Sequence, residues 1–156
     1  MQKISNKKVV ARNRRAKFDY DISKTFVAGL VLRGYEVKSV TSGLVSLSDS
    51  FVRIEQGEAW LINTHIALWK FARVKDYEPK RRRKLLLTRK EIRELMIAQD
   101  AKKLSIVPLE IFLEGRRIKL KLGIGKGRKK YDKRAKIKEK EIERQVREDL
   151  VKLRKF

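Results

Sequence analysis

LSIVPLEIFLEGRRIKLKLGIG, residues 104–125, pairs two apolar runs across a glycine turn and carries a strict two-residue alternation in its second half. In RIKLKL (117–122), Ile118, Leu120 and Leu122 fall on one side and Lys119 and Lys121 on the other. That period of two is the signature of a half-buried strand. A second apolar run precedes it, and the two join at Glu114-Gly115, which predicts a hairpin. Pro108 lacks an amide hydrogen, so it indicates an edge or a bulge. A strand with one apolar and one cationic face suits a β-barrel whose outside meets phosphate.

Outward from this hairpin the chain divides into three. Residues 1–16 are polar and basic and read as a flexible arm, with a brief strand or turn near its end. From Phe18 the alternation of Phe18, Tyr20 and Ile22 with Asp19, Asp21 and Ser23 predicts a strand. FVAGLVLRG then carries Gly29, a candidate bend or bulge, and Gly34, a candidate turn. YEVKSVTSG (35–43) reads as a short helix stopped by Gly43. Gln56-Gly57 separates two β-rich runs, a hairpin signal, and Trp60 is expected in the core. Residues 73–84, RVKDYEPKRRRK, have no apolar period and read as a charged loop. Thr88 with Glu91 three residues on is a capping box, opening a helix whose stripe is Ile92, Leu95 and Met96. The expected fold is mainly β: a small, closed OB-type antiparallel barrel over 17–127, with two or three helices.

Residues 128–156 have no core-like run. Ile142, Val146, Leu150 and Leu153 form a narrow stripe among charges of both signs, too thin to support an isolated helix strongly. This tail is expected to be disordered alone and helical on a binding surface.

The 42 Lys and Arg against 19 Asp and Glu give a formal net charge of +23. The excess recurs in NRRAK, KRRRK, GKGRKK and DKRAKIK, and it points to a polyanionic partner. Nucleic acid fits, because each neutralised phosphate releases counterions. A membrane surface would need an apolar insertion face or lipid anchor beside the charge, and none is read here. The chain has no cysteine, which fits a reducing cytoplasm.

No assembled chemistry is legible. His65 is the lone histidine and is expected to be structural. Asp19 and Asp21 place two carboxylates on one strand face without a third ligand, and local charge balance accounts for them. GIGKGRK lacks the leading glycine and trailing Ser or Thr of a P-loop. The amides of Gly123–Gly127, with Lys126 beside them, are either a phosphate site or a strand end made soluble by charge. Neither metal nor cofactor is expected. Trp69, Phe71, Tyr35 and Tyr131 are candidate base-stacking residues.

Several motifs, in order, resemble the small protein B family, the SsrA-binding proteins of bacterial trans-translation. They are ARNRRAKFDYDI (11–22), AGLVLRGYEVKSV (28–40), DSFVRIEQGEAWL (49–61), HIALW (65–69), RKLLLTRKEI (83–92), IVPLEIF (106–112) and GKGRKKYDKR (125–134). The resemblance implies an OB-type barrel and two partners, with no enzymatic role. One partner is transfer-messenger RNA, bound near the elbow of its tRNA-like part. The other is the stalled ribosome, whose decoding centre and messenger path the tail enters. The implied RNA-facing set is Asn13, Arg14, Arg15, Lys17, Glu36, Lys38, Lys84, Leu86, Lys126 and Lys129. The implied ribosome-facing set is Tyr131, Asp132, Lys133, Arg134, Lys136 and Lys138. A cytoplasmic monomer is implied as well. Three departures stand out: Val27 replaces the family's usual Glu before Ala-Gly, Glu78-Pro79 replaces Asp-Pro, and AKKLSIVPL lacks a customary glycine. The alternative reading is a structural ribosomal protein or a general RNA-binding OB-fold protein.

Overall fold

The structure, a computed structural model, describes residues 7–154, and all side chains in that range except those of 130–132. In chain order its elements are β1 (Lys7–Arg12), α1 (Ala16–Asp19), β2 (Tyr20–Leu30), α2 (Gly34–Thr41), β3 (Val45–Ser46), β4 (Phe51–Glu55) and β5 (Glu58–Ile62). They continue as β6 (His65–Ile66), β7 (Arg83–Leu86), α3 (Arg89–Asp100), β8 (Leu104–Glu114), β9 (Arg117–Gly127) and α4 (Lys130–Leu153).

The deciding hairpin is β8–β9. Glu114 pairs with Arg117, so the two-residue loop is Gly115-Arg116, with Gly115 at φ +62°. A positive φ at the first loop position matches the right-handed strand twist. Ile118, Leu120 and Leu122 are buried as the alternation requires, while Lys119 and Lys121 stay partly exposed on the opposite face. Pro108 does mark a bulge, at the register shift between Pro108 and Glu110. It does not mark an edge, because β8 lies between β1 and β9.

The main sheet has seven strands in the order β1-β8-β9-β2-β7-β5-β4, and its pairings are antiparallel. Strands β3 and β6 form a separate pair. The expected closed barrel is corrected here: among the described residues, β1 and β4 remain the sheet's two edges. Even so, β4 packs near β8, and α3 touches both, so the sheet curls until its ends approach. The side chain of Gln99 in α3 helps fill the gap. It donates to the Ile54 carbonyl at 3.0 Å and accepts the Ile54 N–H at 2.7 Å. An amide side chain thus stands in for a missing strand on an edge that would otherwise template aggregation.

Local signals explain the other elements. Gln56 and Gly57 both have positive φ, 50° and 72°, the type I′ geometry of a tight hairpin. Thr88 accepts from the Glu91 N–H, and Glu91 reaches back to Thr88 N, closing the capping box on α3. The basic arm is not wholly loose, for its residues 7–12 pair with β8; residues 1–6 lie outside those described. Gly29 is not a bend. It sits in register between Leu86 and Lys119, where an added Cβ would lie 3.2 Å from Leu86 Cβ. One core unites the inner faces of the sheet with Val40 of α2 and Leu95 and Ala98 of α3. Burying a side chain such as Leu120 or Leu95 contributes about 1.5–3 kcal/mol.

Candidate nucleic-acid interface

The basic clusters are not equivalent once folded. In KRRRK, Arg83 is fully buried and so is Glu36. Arg83 Nε donates to Glu36 Oε2 at 2.7 Å, Nη1 to the Thr64 carbonyl at 2.6 Å and Nη2 to the Pro79 carbonyl at 2.9 Å. Arg81 donates to Glu36 Oε1, which also accepts the Arg33 N–H at 2.9 Å. Burial pushes the Glu36 carboxyl up, but these donors outweigh it and hold the group below the usual carboxylate range. The expectation that Glu36 faces RNA is therefore corrected: its carboxylate is spent inside the protein. It ties the start of α2 to the segment entering β7.

Arg82 is accounted for as well. Its guanidinium stacks 4.7 Å from the Trp60 ring centroid and pairs with Glu55 at 2.7 Å. Trp60, expected in the core, lies half-buried on the outer face of the sheet between Arg53 and Lys84. Of the other aromatics, Phe71 is exposed and meets the partly exposed Trp69 edge-on at 5.7 Å. Tyr35 packs edge-on against Tyr77 at 5.5 Å, and Tyr77 donates to the Ile66 carbonyl at 2.6 Å.

Two groups of predicted residues emerge. The first lies on the outer face of β2, β7 and β9. Leu86 is exposed beside Gly29, and Val27 is exposed opposite Lys121. Lys84 shares the Leu86 face and pairs with Glu58 at 2.9 Å. Lys119 and Lys121 join this group by register, although the implied RNA set omits them. Their outward alternation in RIKLKL was the signal that could have placed them there. Lys38, on α2, is exposed nearby in sequence but is not brought into register with these strands.

The second group surrounds α1, at the other end of β2. Lys126 pairs with Asp21, eight residues along β2 from Gly29, which separates the groups by about 26 Å at strand rise. Arg14, Arg15 and Lys17 are exposed. Asn13 is half-buried, and its amide donates to the Pro108 carbonyl at 2.9 Å. A cleft of about 1230 Å³ opens here along the β4–β8 gap, lined in part by Asn13, Arg14, Arg15, Arg53 and Lys133. Lys129 is exposed in the link to α4.

GIGKG is a strand and not a phosphate loop. Gly123 pairs with Thr25 on one side and Val107 on the other, and Gly125 with Ile22 and Ser105. A Cβ at Gly123 would lie 2.8 Å from Ile22 Cγ2, and one at Gly125 2.9 Å from Tyr20 Cβ. The glycines make room for the Tyr20 and Ile22 side chains of the neighbouring strand β2. His65 is exposed on β6 opposite Ser46.

Of the predicted ribosome-facing residues, Arg134 and Lys138 are exposed on α4. Lys133 and Lys136 lie against α1. Burial, with the charges of Arg128 and Lys140, holds the Lys136 ammonium below the usual lysine value. The side chains of Tyr131 and Asp132 lie outside those described. From Glu139 to Arg154 the side chains of the tail are exposed, including the Ile142, Val146 and Leu150 stripe. No described helix is long and apolar enough to cross a membrane.

Comparisons with known proteins place this geometry. A family model described as SmpB protein matches residues 10–152. The SsrA-binding protein of Halothermothrix orenii is 45% identical over 142 residues, covering 91% of this chain and 92% of that protein. That of Aquifex aeolicus is 45% identical over 138 residues, covering 88% of each. That of a Sulfurihydrogenibium species is 46% identical over 141 residues, covering 90% and 93%. A chain in a solved structure described as "tmRNA-SmpB: a journey to the center of the bacterial ribosome" superposes with a TM-score of 0.64 at 42% identity, covering 76% of this chain and 84% of that one. With the match running from β1 into α4, the chain belongs to the SmpB family.

Proposed function

We propose that this protein binds transfer-messenger RNA through its folded body and delivers it to stalled ribosomes for trans-translation. The observation that carries the reading is family membership over residues 10–152, with relatives named as SsrA-binding proteins. Charge and geometry supply a physical means. Cations on the body neutralise phosphates, and the body recognises a folded RNA by its shape more than by base sequence. On the outer face, Lys84, Lys119 and Lys121 frame the exposed Leu86 and Val27. Here an apolar surface replaces the carboxylate expected at position 27, favouring contact with a ribose or base face over a polar hydrogen bond. Near α1, Arg14, Arg15, Lys17 and Lys126 form a second cationic surface.

In this reading the curled sheet is an OB-type barrel left open along one seam, and α4 is a separate ribosome-binding element. The first turns of α4 are set against α1, while the exposed remainder beyond Glu141 orders fully only when the ribosome's RNA screens its charge, and that ordering is part of the recognition cost. The protein is an adaptor in the cytoplasm, acts as a monomer and needs no cofactor. It does no chemistry itself; it places another molecule where a catalyst already exists.

Gel shift at fixed salt tests the proposal. Transfer-messenger RNA should bind markedly tighter than an elongator tRNA. Replacing Lys119 and Lys121 together by Ala should lower the salt slope by about 2, roughly one per lost phosphate contact. Equal affinity for both RNAs would refute it.

A further inference from the structure

The folded body and the tail helix are both cationic, yet they touch. From Arg128 onward the chain carries thirteen Lys and Arg against six Asp and Glu; residues 1–127 carry twenty-nine against thirteen. Two parts of like net charge repel, and nothing in their long-range field holds them together. The contact between them is built on the DYD motif, which no RNA-binding role absorbs.

Asp19 ends α1, and its Oδ1 lies 3.2 Å from Lys133 Nζ, in the first turns of α4. One helical turn on, Lys136 Nζ donates to the Lys17 carbonyl at 2.6 Å. The Arg128 N–H donates to the Asp19 carbonyl at 2.8 Å. Asp21 is far more exposed and meets Arg128 only at 4.0 Å. Arg15 also approaches Asp19, at 3.8 Å. Among the described residues, two buried side-chain polar atoms make no hydrogen bond: Asp19 Oδ1 and Arg128 Nε. Both sit at this junction. The contact is therefore held by charge pairing, one backbone hydrogen bond and one hydrogen bond from the Lys136 side chain to a backbone carbonyl, and lacks the fully satisfied network of a rigid interface.

A carboxylate serving only local charge balance would face the cations of its own element. Asp19 instead bridges two elements that otherwise repel. We propose that Asp19 is a positioning residue for ribosome rescue: it fixes the direction in which α4 leaves the body. The tail thereby starts from a set angle when the body sits on transfer-messenger RNA. This rests on the division of labour proposed above. Arg15, which carries an RNA-facing role in that proposal, competes for the same carboxylate. RNA phosphate that draws Arg15 away leaves Asp19 to Lys133 alone and tightens the joint.

The chain has no cysteine, so Lys102→Cys on the body and Glu141→Cys on α4 accept spin labels cleanly; both positions are exposed. Pulsed EPR on the full-length chain then reads the body-to-tail distance, beside gel shift with transfer-messenger RNA and tagging on stalled ribosomes at saturating RNA. The expected result is a narrow distribution for the parent, broadened by Asp19→Lys and, to a lesser degree, by the isosteric Asp19→Asn. Tagging falls roughly five-fold in both, the scale on which one half-exposed ion pair shifts an equilibrium. RNA affinity does not fall, because Asp19 pairs with Arg15 at 3.8 Å and removing its charge leaves that cation free for phosphate. Adding Lys133→Asp to Asp19→Lys re-narrows the distribution. An already broad parent, an unchanged distribution in both variants, no re-narrowing on charge reversal, or full tagging despite broadening would each overturn the proposal. So would a loss of RNA affinity as large as the loss of tagging. If the parent binds no transfer-messenger RNA, the functional reading fails, while the EPR series still decides the joint.

Discussion

Replacing Glu36 by Gln removes one charge from a cluster in which Glu36, Arg83 and Thr64 are fully buried, while leaving its volume intact. Arg83 then keeps its bonds to the Thr64 and Pro79 carbonyls at 2.6 and 2.9 Å but loses its counter-ion. Breaking a buried pair from one side costs about 3–5 kcal/mol, because the remaining charge stays desolvated. Gln still offers a carbonyl acceptor, and Arg81 is exposed enough to turn toward water, so the lower end applies: about 3 kcal/mol. That is a large share of the roughly 5–15 kcal/mol that stabilises a domain. With a slope near 2 kcal/mol/M, the urea midpoint should fall by about 1.5 M. The pH dependence has a definite sign. The folded carboxyl is held below its ordinary value, so its stabilisation is complete above the unfolded pKa, about 4.3. It is lost as pH falls through the lower, folded value. The gap between parent and Glu36→Gln should therefore be widest at neutral pH and shrink in acid. Glu36→Gln/Arg83→Met, which removes both charges, should be more stable than Glu36→Gln alone. While folded, Glu36→Gln should bind transfer-messenger RNA as the parent does. A midpoint shift worth under about 1 kcal/mol, or a double variant as unstable as the separate losses added together, would show that Glu36 and Arg83 are not a coupled buried pair.

Two further outcomes follow from the packing of the sheet. Gln99→Ala strips both partners from the Ile54 backbone on the β4 edge; it should cost about 1–3 kcal/mol for each group left unsatisfied and raise light scattering on partial unfolding as the edge is freed. Gly123→Ala sets a methyl 2.8 Å from Ile22 Cγ2 and 3.2 Å from the Lys24 carbonyl, atoms with little room to yield; a loss of about 1–3 kcal/mol is expected in urea denaturation, and a neutral result would show that the β2 bulge relaxes freely.

What was legible in the chain was what local rules decide. The alternation of Ile118, Leu120 and Leu122, the Gln56-Gly57 turn and the Thr88–Glu91 box each rest on neighbours within a few residues, and each element appears where they place it. What was not legible depends on distant partners. KRRRK reads as a solvated cationic run, yet Arg83 is buried because Glu36, 47 residues upstream, waits for it across the fold. GIGKG reads equally as loop or strand, and only the approach of Tyr20 and Ile22 settles it as strand. Trp60 reads as core because of its size; it lies outside because strand parity gives the inner positions to Ala59 and Leu61. The open seam was hidden for the same reason, since closure depends on whether β1 and β4 meet.

In the proposed division of labour the body grips transfer-messenger RNA and the tail acts on the ribosome. Ending the chain before Tyr131 separates the two. Transfer-messenger RNA affinity should stay within about two-fold of the full chain, as expected when none of the body's RNA-facing residues is removed, and tagging on stalled ribosomes should be abolished. Loss of both activities, or survival of both, would contradict this division.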